Sequence, residues 1–233
     1  MTKTYQAREF HSFTDRNSKK VFSDLAFVKC HFVGCNVSNA TDPKYRSTIK
    51  NIAIIDCEQH GSSLGAAIVE DTTVDGFKTH GLFQTWGAIF KHVTLKGKLG
   101  RIMTSPFAPA FIASTMKKLD LQRAFDKANA LYYSSVDWAL DIREAQFEEA
   151  DLRGIPARLV LRDAETQFIL TREKALEGKW REVDLSGTHW KTSIEFLSES
   201  GSQDEILVAP KRHPRYRPLL AGLWALRDAG VVE

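Results

Sequence analysis

Two short stretches, Cys57-Glu58-Gln59-His60-Gly61 and Phe77-Lys78-Thr79-His80-Gly81, place a histidine before a glycine at a spacing of 20 residues. Lys98-Leu99-Gly100-Arg101-Ile102 follows 21 residues later. Imidazoles titrate near neutral pH, so His60 and His80 beside the Arg101 guanidinium would make an anion- or acid-responsive patch, with Glu58 as a nearby carboxylate. A solvated corner before Gly61 and Gly81 accounts for the same residues without any function. No nucleophile elbow, HExxH, phosphate loop or GxGxxG is present. Ser, His and Asp occur, but no register joins them as a triad. The sequence therefore names no catalytic residue.

Three cysteines, Cys30, Cys35 and Cys57, are odd in number and lack CxxC spacing, which argues against a disulfide framework and a structural zinc site. Cys35 and Cys57 are expected at equivalent inward positions of neighbouring coils, acting as small hydrophobes. No metal and no cofactor are expected. The basic run Lys211–Arg217 reads as a solvated linker, and a net charge of +3 does not predict nucleic-acid binding. The acids Asp141, Glu144, Glu148, Glu149 and Asp151 form the opposite cluster. No apolar run reaches the ~18 residues that cross a bilayer, and no apolar leader precedes the first polar stretch. A cytoplasmic location is the default expectation.

The elements that would carry these residues show up when the chain is aligned with itself. Nine-residue copies begin at 26, 48, 68, 89, 146 and 179. Each has an apolar residue at its second and seventh positions and Gly or Asp at its ninth. One column reads Phe27, Ile49, Val69, Phe90, Phe147, Trp180, the other Phe32, Ile54, Val74, Leu95, Leu152, Leu185. A period of five fits neither a strand nor an amphipathic helix. Inside a period of about twenty, it describes a four-sided coil on which the next coil stacks. An outward column of Val28, Lys50, Glu70, Lys91, Glu148 and Arg181 would then carry cross-coil ion pairs.

Ala150-Asp151-Leu152-Arg153-Gly154 and Val183-Asp184-Leu185-Ser186-Gly187 resemble the pentapeptide-repeat motif of a small residue, Asp or Asn, Leu or Phe, and two variable positions. The resemblance covers about half the chain, and Thr73, Ile89 and Thr94 depart from it. It implies a mainly β fold, a right-handed quadrilateral β-helix, here of about six to eight coils with a helical insertion and a C-terminal capping helix. It also implies binding to a protein target, either neutralising a toxin as an immunity protein or shielding a DNA topoisomerase in a bacterial cell. Some members resemble duplex DNA in charge and shape. Here the acids span barely two coils, which weighs against mimicry.

One domain is expected over 1–233: an N-terminal cap (1–24), coils (25–103), a loop–helix insertion (104–135), coils (136–200), and a linker with a capping helix (201–233). Tyr5, Phe10 and Phe13 would cover the first coil. The insertion has an expected N-cap at Ser114 and helical spacing from Leu119 to Leu131. Shorter signals are a strand over 157–163, a helix near Arg172–Glu177, and a final helix with Pro218 in its first turn and Gly230 closing it. The expected partner-binding residues are His60, His80, Arg101, the outward Ile55, Ile68 and Ile89, and Phe107, Phe111, Lys117, Lys118 and Arg123 of the insertion. An enzyme or small-ligand binder working from the His/Arg column is the competing class. Nucleic acid and membrane are not expected partners, and a homodimer is compatible with the fold.

Overall fold

Glycine adopts positive φ without strain, and the Gly or Asp that ends each copy stands where the backbone requires that conformation. Gly34, Asp56, Gly76, Gly97, Gly154 and Gly187 have φ between 49° and 78°. The computed structural model describes residues 2–112 and 119–233, without the Phe111 side chain. In it the left-handed corners fall into columns. Ala7, Lys29, Asp56, Gly76 and Gly97 form one, and Asp24, Asn51, Asp71 and His92 another. A Cβ at Gly76 would meet only the movable end of the Asp56 side chain closely, so what glycine relieves at this corner is its φ of 71°.

The fold is mainly β, with one large, mostly parallel sheet and few helices. The first pass of chain holds β1 (Lys3–Gln6) and β2 (Glu9–His11). The second holds β3 (Val21–Val28), β4 (His31–Val33) and β5 (Asn36–Val37), and the third β6 (Thr48–His60) and β7 (Ser63–Leu64). The long strands β8 (Ile68–Trp86) and β9 (Ile89–Ser105) follow. Each pass pairs in parallel with the one before: Tyr5 with Phe27, Phe27 with Ile54, Ile54 with Val74, and Val74 with Leu95. These partners pack on the core. At one end Tyr5 stacks on Phe27 with ring centroids 5.4 Å apart, and Phe10 on Phe32 at 5.5 Å. The N-terminal aromatics thus lie within a paired pass of their own, not in a separate cap over 1–24.

The expected register needs two shifts. Ile49 pairs with Phe22, one five-residue side away from the expected Phe27. The cause is a longer corner, Ser38 to Ser47, containing the 3-10 turn Pro43–Tyr45. Asp15, 2% exposed, closes it by accepting from the Ser47 hydroxyl (2.6 Å) and the Ser38 amide (3.2 Å). The shift also changes the thiols: Cys57 lies over Cys30, whose amide points at Cys57 Sγ (3.3 Å), whereas Cys35 lies under Ser62. Phe147 pairs with Leu99 instead of extending the Phe90 column.

Beyond β9 come α1 (Pro109–Ile112) and α2 (Leu119–Tyr133), so a helix occupies the described part of the expected insertion. The expected N-cap, Ser114, and the partner residues Lys117 and Lys118 lie outside the described residues, as does the Phe111 side chain. The chain then rejoins the sheet through β10 (Leu140–Asp141) and β11 (Ala145–Leu152), both parallel to β9. The expected strand over 157–163 shrinks to a 3-10 turn (Ala157–Leu159) and β12 (Val160–Leu161), which pairs with β10.

The last copy, at 179, is not part of the sheet. Between β13 (Gln167–Thr171) and β14 (Asp204–Val208) lie α3 (Arg172–Glu177), a 3-10 turn (Lys179–Glu182) and α4 (Trp190–Glu199), where coils were expected. Trp180 is buried there because its indole N–H has a partner, the Ala175 carbonyl at 2.9 Å. Leu185 packs in the same second core. The C-terminal α5 (Tyr216–Asp228), followed by Gly230 at φ 70°, also joins this second core. It does not cap the parallel passes directly. That role falls to β14, antiparallel to β11 at Leu152–Ile206, and to Arg212, which donates to the Leu99 carbonyl at 2.8 Å. Among the described residues no helix is long and apolar enough to cross a membrane.

Candidate functional site

Alternation along a strand turns Phe10, Phe32 and Gln59 inward and their neighbours outward. Parallel register then places Glu9, His31, Glu58 and Lys78 in one outward column and His11, Val33, His60 and His80 in the next. His60 and His80 are adjacent, as expected, with ring centroids 5.8 Å apart. Glu58 is the hub: His31 Nε2 lies 2.9 Å from Oε1, while His80 Nε2 (2.9 Å) and Lys78 Nζ (3.1 Å) meet Oε2. The His80 contact, then Lys78, holds the Glu58 carboxyl below its ordinary pKa. At the far end Glu9 reaches His11 at 3.0 Å and His31 at 3.8 Å. His31, Glu58, His60 and His80 border a shallow hollow of about 350 Å³.

Arg101 is displaced from this column. Phe77 pairs with Leu99 and Leu82 with Arg101, so four residues bulge opposite Gly100, and Arg101 meets Glu148 at 3.0 Å instead. The bulge requires glycine at 100, since a side chain would strike Thr79. In the outward ion column Lys50 does reach Glu70 (3.3 Å), but Ser23, not Val28, precedes it, and Arg181 lies elsewhere.

The apolar partner residues fare differently from one another. Ile55 is 37% exposed, Ile68 is half-buried, and Ile89 is 1% exposed. Ile89 is therefore core, and the expectation of an outward Ile89 is corrected: it belongs to the same buried cluster as Val69, Phe90 and Tyr133. Phe107 is 37% exposed, and Arg123 is exposed beside Asp120 (3.2 Å). Burial pushes the Cys57 thiol up to about 11, the behaviour of an inert core cysteine.

Two arrangements escaped sequence reasoning. His92 sits between Asp71 (3.1 Å) and Asp137 (2.7 Å) over the Trp138 ring. The Asp137 contact above all raises its pKa, and the cluster clamps the segment leaving α2 onto the sheet. The second is a cleft of about 620 Å³ where the ends of β8 and β9 face α2 and the end of α4. Arg153 lines it. Its Nε lies 2.6 Å from Asp151 Oδ1, without hydrogen-bond alignment, and 3.8 Å from Glu205 Oε1. Burial raises the Asp151 pKa and pushes Glu205 up to about 8, against the opposing pull of Arg153. The available signal was an acid opening the apolar run Glu205-Ile206-Leu207-Val208.

Comparison of the chain with protein-family models, with curated proteins and with solved structures finds no match.

Proposed function

We propose that this chain is a right-handed β-helix protein that acts without catalysis, by presenting the Glu9–His31–Glu58–Lys78 and His11–His60–His80 columns to a protein target. The observation that carries this reading is the wall itself: exposed histidines and carboxylates in adjacent registered columns, held by strands that cannot rearrange independently. Such a face is pre-organised, which lowers the ordering cost of association. Toxin neutralisation and protection of a cellular target are the two roles of this kind. Duplex-DNA mimicry has less support, because Asp141, Glu148 and Asp151 are each engaged by an arginine of the chain, Arg143, Arg101 and Arg153.

The test is a His60→Gln/His80→Gln double variant, which adds no carboxylate beside Glu58, compared with the parent protein in affinity capture from the cells that express it. Exposed substitutions of this kind change stability by about 0.5 kcal/mol or little more, so the variant is expected to melt like the parent yet lose its specific partner. Recovery of the same partner at the same affinity by a folded variant would sink the proposal.

A further inference from the structure

We propose that the cleft beside Arg153 binds an apolar ligand through its terminal carboxylate. The backbone of Arg153 is anchored, and its guanidinium is held on two sides. Backbone N–H and C=O of Arg153 both engage the Thr104 hydroxyl at 2.8 Å, Nε abuts Asp151, and the Phe196 ring lies 3.8 Å from the guanidinium carbon. Neither terminal nitrogen has a hydrogen-bond partner among the described residues, and the side chain is 26% exposed on the cleft. A guanidinium whose Nε edge is occupied and whose terminal edge is open presents a planar fork of two donors. That fork matches a carboxylate in bidentate geometry.

The surroundings select the rest of the ligand. Trp86, Met103, Phe107 and Phe196 give the cleft apolar walls, and its volume of about 620 Å³ exceeds what a lone anion would fill. Charge argues against a phosphate dianion. Asp151 lies along the Nε edge and Glu199 and Asp126 stand on the lining, so only the terminal edge of Arg153 is left to meet an anion, and a second negative charge would face carboxylates. One open guanidinium edge in that setting suits a single negative charge. The same chemistry has two sources, a free amphiphilic acid and the C-terminus of a polypeptide ending in an apolar residue.

The experiment titrates the full-length protein calorimetrically with 3-phenylpropionate, its neutral amide, inorganic phosphate, and a tetrapeptide ending in Phe with a free or an amidated terminus. Both free carboxylates are expected to bind, with the amides at least about tenfold weaker. A peptide at least tenfold tighter than phenylpropionate assigns the site to chain termini, and parity assigns it to small acids. Arg153→Lys should weaken both carboxylates about tenfold. Because that change disturbs the half-buried Asp151, Gly201→Trp serves as a second variant. Its Cβ would meet nothing within 4 Å, so the fold is expected to stand while the indole fills the cleft and abolishes binding. Equal affinity for acid and amide, tighter binding of phosphate, no binding at ~10 mM, or undiminished binding by a folded Gly201→Trp protein each overturns the proposal. None of these outcomes bears on the His/Glu wall, so the two readings fail separately.

Discussion

Glu205 is 5% exposed, and its carboxyl is kept protonated to about pH 8 by burial, against an ordinary value near 4.5. A folded state that holds this proton while the unfolded chain has released it loses stability as pH rises. The contribution is fully present below about pH 4.5, declines between 4.5 and 8, and is gone above 8. Over that window the loss amounts to roughly a few kcal/mol. Glu205→Gln keeps the shape and removes the titration. Its denaturant-unfolding free energy should exceed the parent's at pH 8 and lose that share of the slope between pH 5 and 8. Parallel pH profiles for the two proteins would show that Glu205 is ionised at neutral pH and solvated or paired. Arg153 would then be the shared counter-charge of Glu205 and Asp151.

At the scale of elements, α2 is the informative case. Its long excursion and aromatic content read equally well as an interface or a cover. The packing favours a cover for its described face. Phe125 is 0% exposed against Ala40, Ala66 and Ala108, with the Arg46 guanidinium 5.0 Å from its ring. The Tyr133 hydroxyl accepts from the Phe90 amide at 3.3 Å, and the Tyr132 hydroxyl donates to Glu70 at 2.9 Å. Arg46 itself donates to Asn129 and to the Gly87 carbonyl, and its burial lowers its pKa to about 10. Phe125→Ala should cost about 3–5 kcal/mol of unfolding free energy. Replacing residues 105–133 by a short Gly/Ser bridge should expose Ile89 and Phe90 and abolish the cooperative thermal transition. A bridged protein that melts like the parent would assign α2 to a partner instead.

For the whole molecule, β14 couples two cores. Ile206 and Val208 pack in the core beneath the parallel passes, while Leu207 and Ala209 pack in the helical core with Trp180 and Trp190. A strand shared by alternation transmits the loss of either core to the other. Leu99→Ala, at a position 0% exposed in the first core, should therefore lower stability by about 2–5 kcal/mol and move both probes together. Tryptophan fluorescence, weighted toward the second core, and far-UV circular dichroism should report one midpoint. A tryptophan transition left at the parent's temperature would mean that the two cores fold independently.

What the sequence determined by itself was whatever depends on local chemistry. The Gly and Asp residues that close each copy mark left-handed corners because glycine adopts positive φ without strain and Asp does so more readily than most residues. The inward columns are apolar because water excludes them, and His60 lies beside His80 because a spacing of 20 matches one pass of chain. The α3 helix and the Gly230 closure were legible for the same reason. What tertiary structure decided was everything set by a count of residues between passes. The extended corner at Ser38–Ser47 moved Phe27 from Ile49 to Ile54 and Cys57 from Cys35 to Cys30, and the bulge at Gly100 took Arg101 away from His80. Lys179–Gly187 carries the repeat's pattern, yet Trp180 found its indole partner in Ala175 and folded into a second core. The cleft at Arg153 joins residues from β8, β9, α2 and α4. No spacing within any one of these elements encodes it, because it exists only where their ends meet.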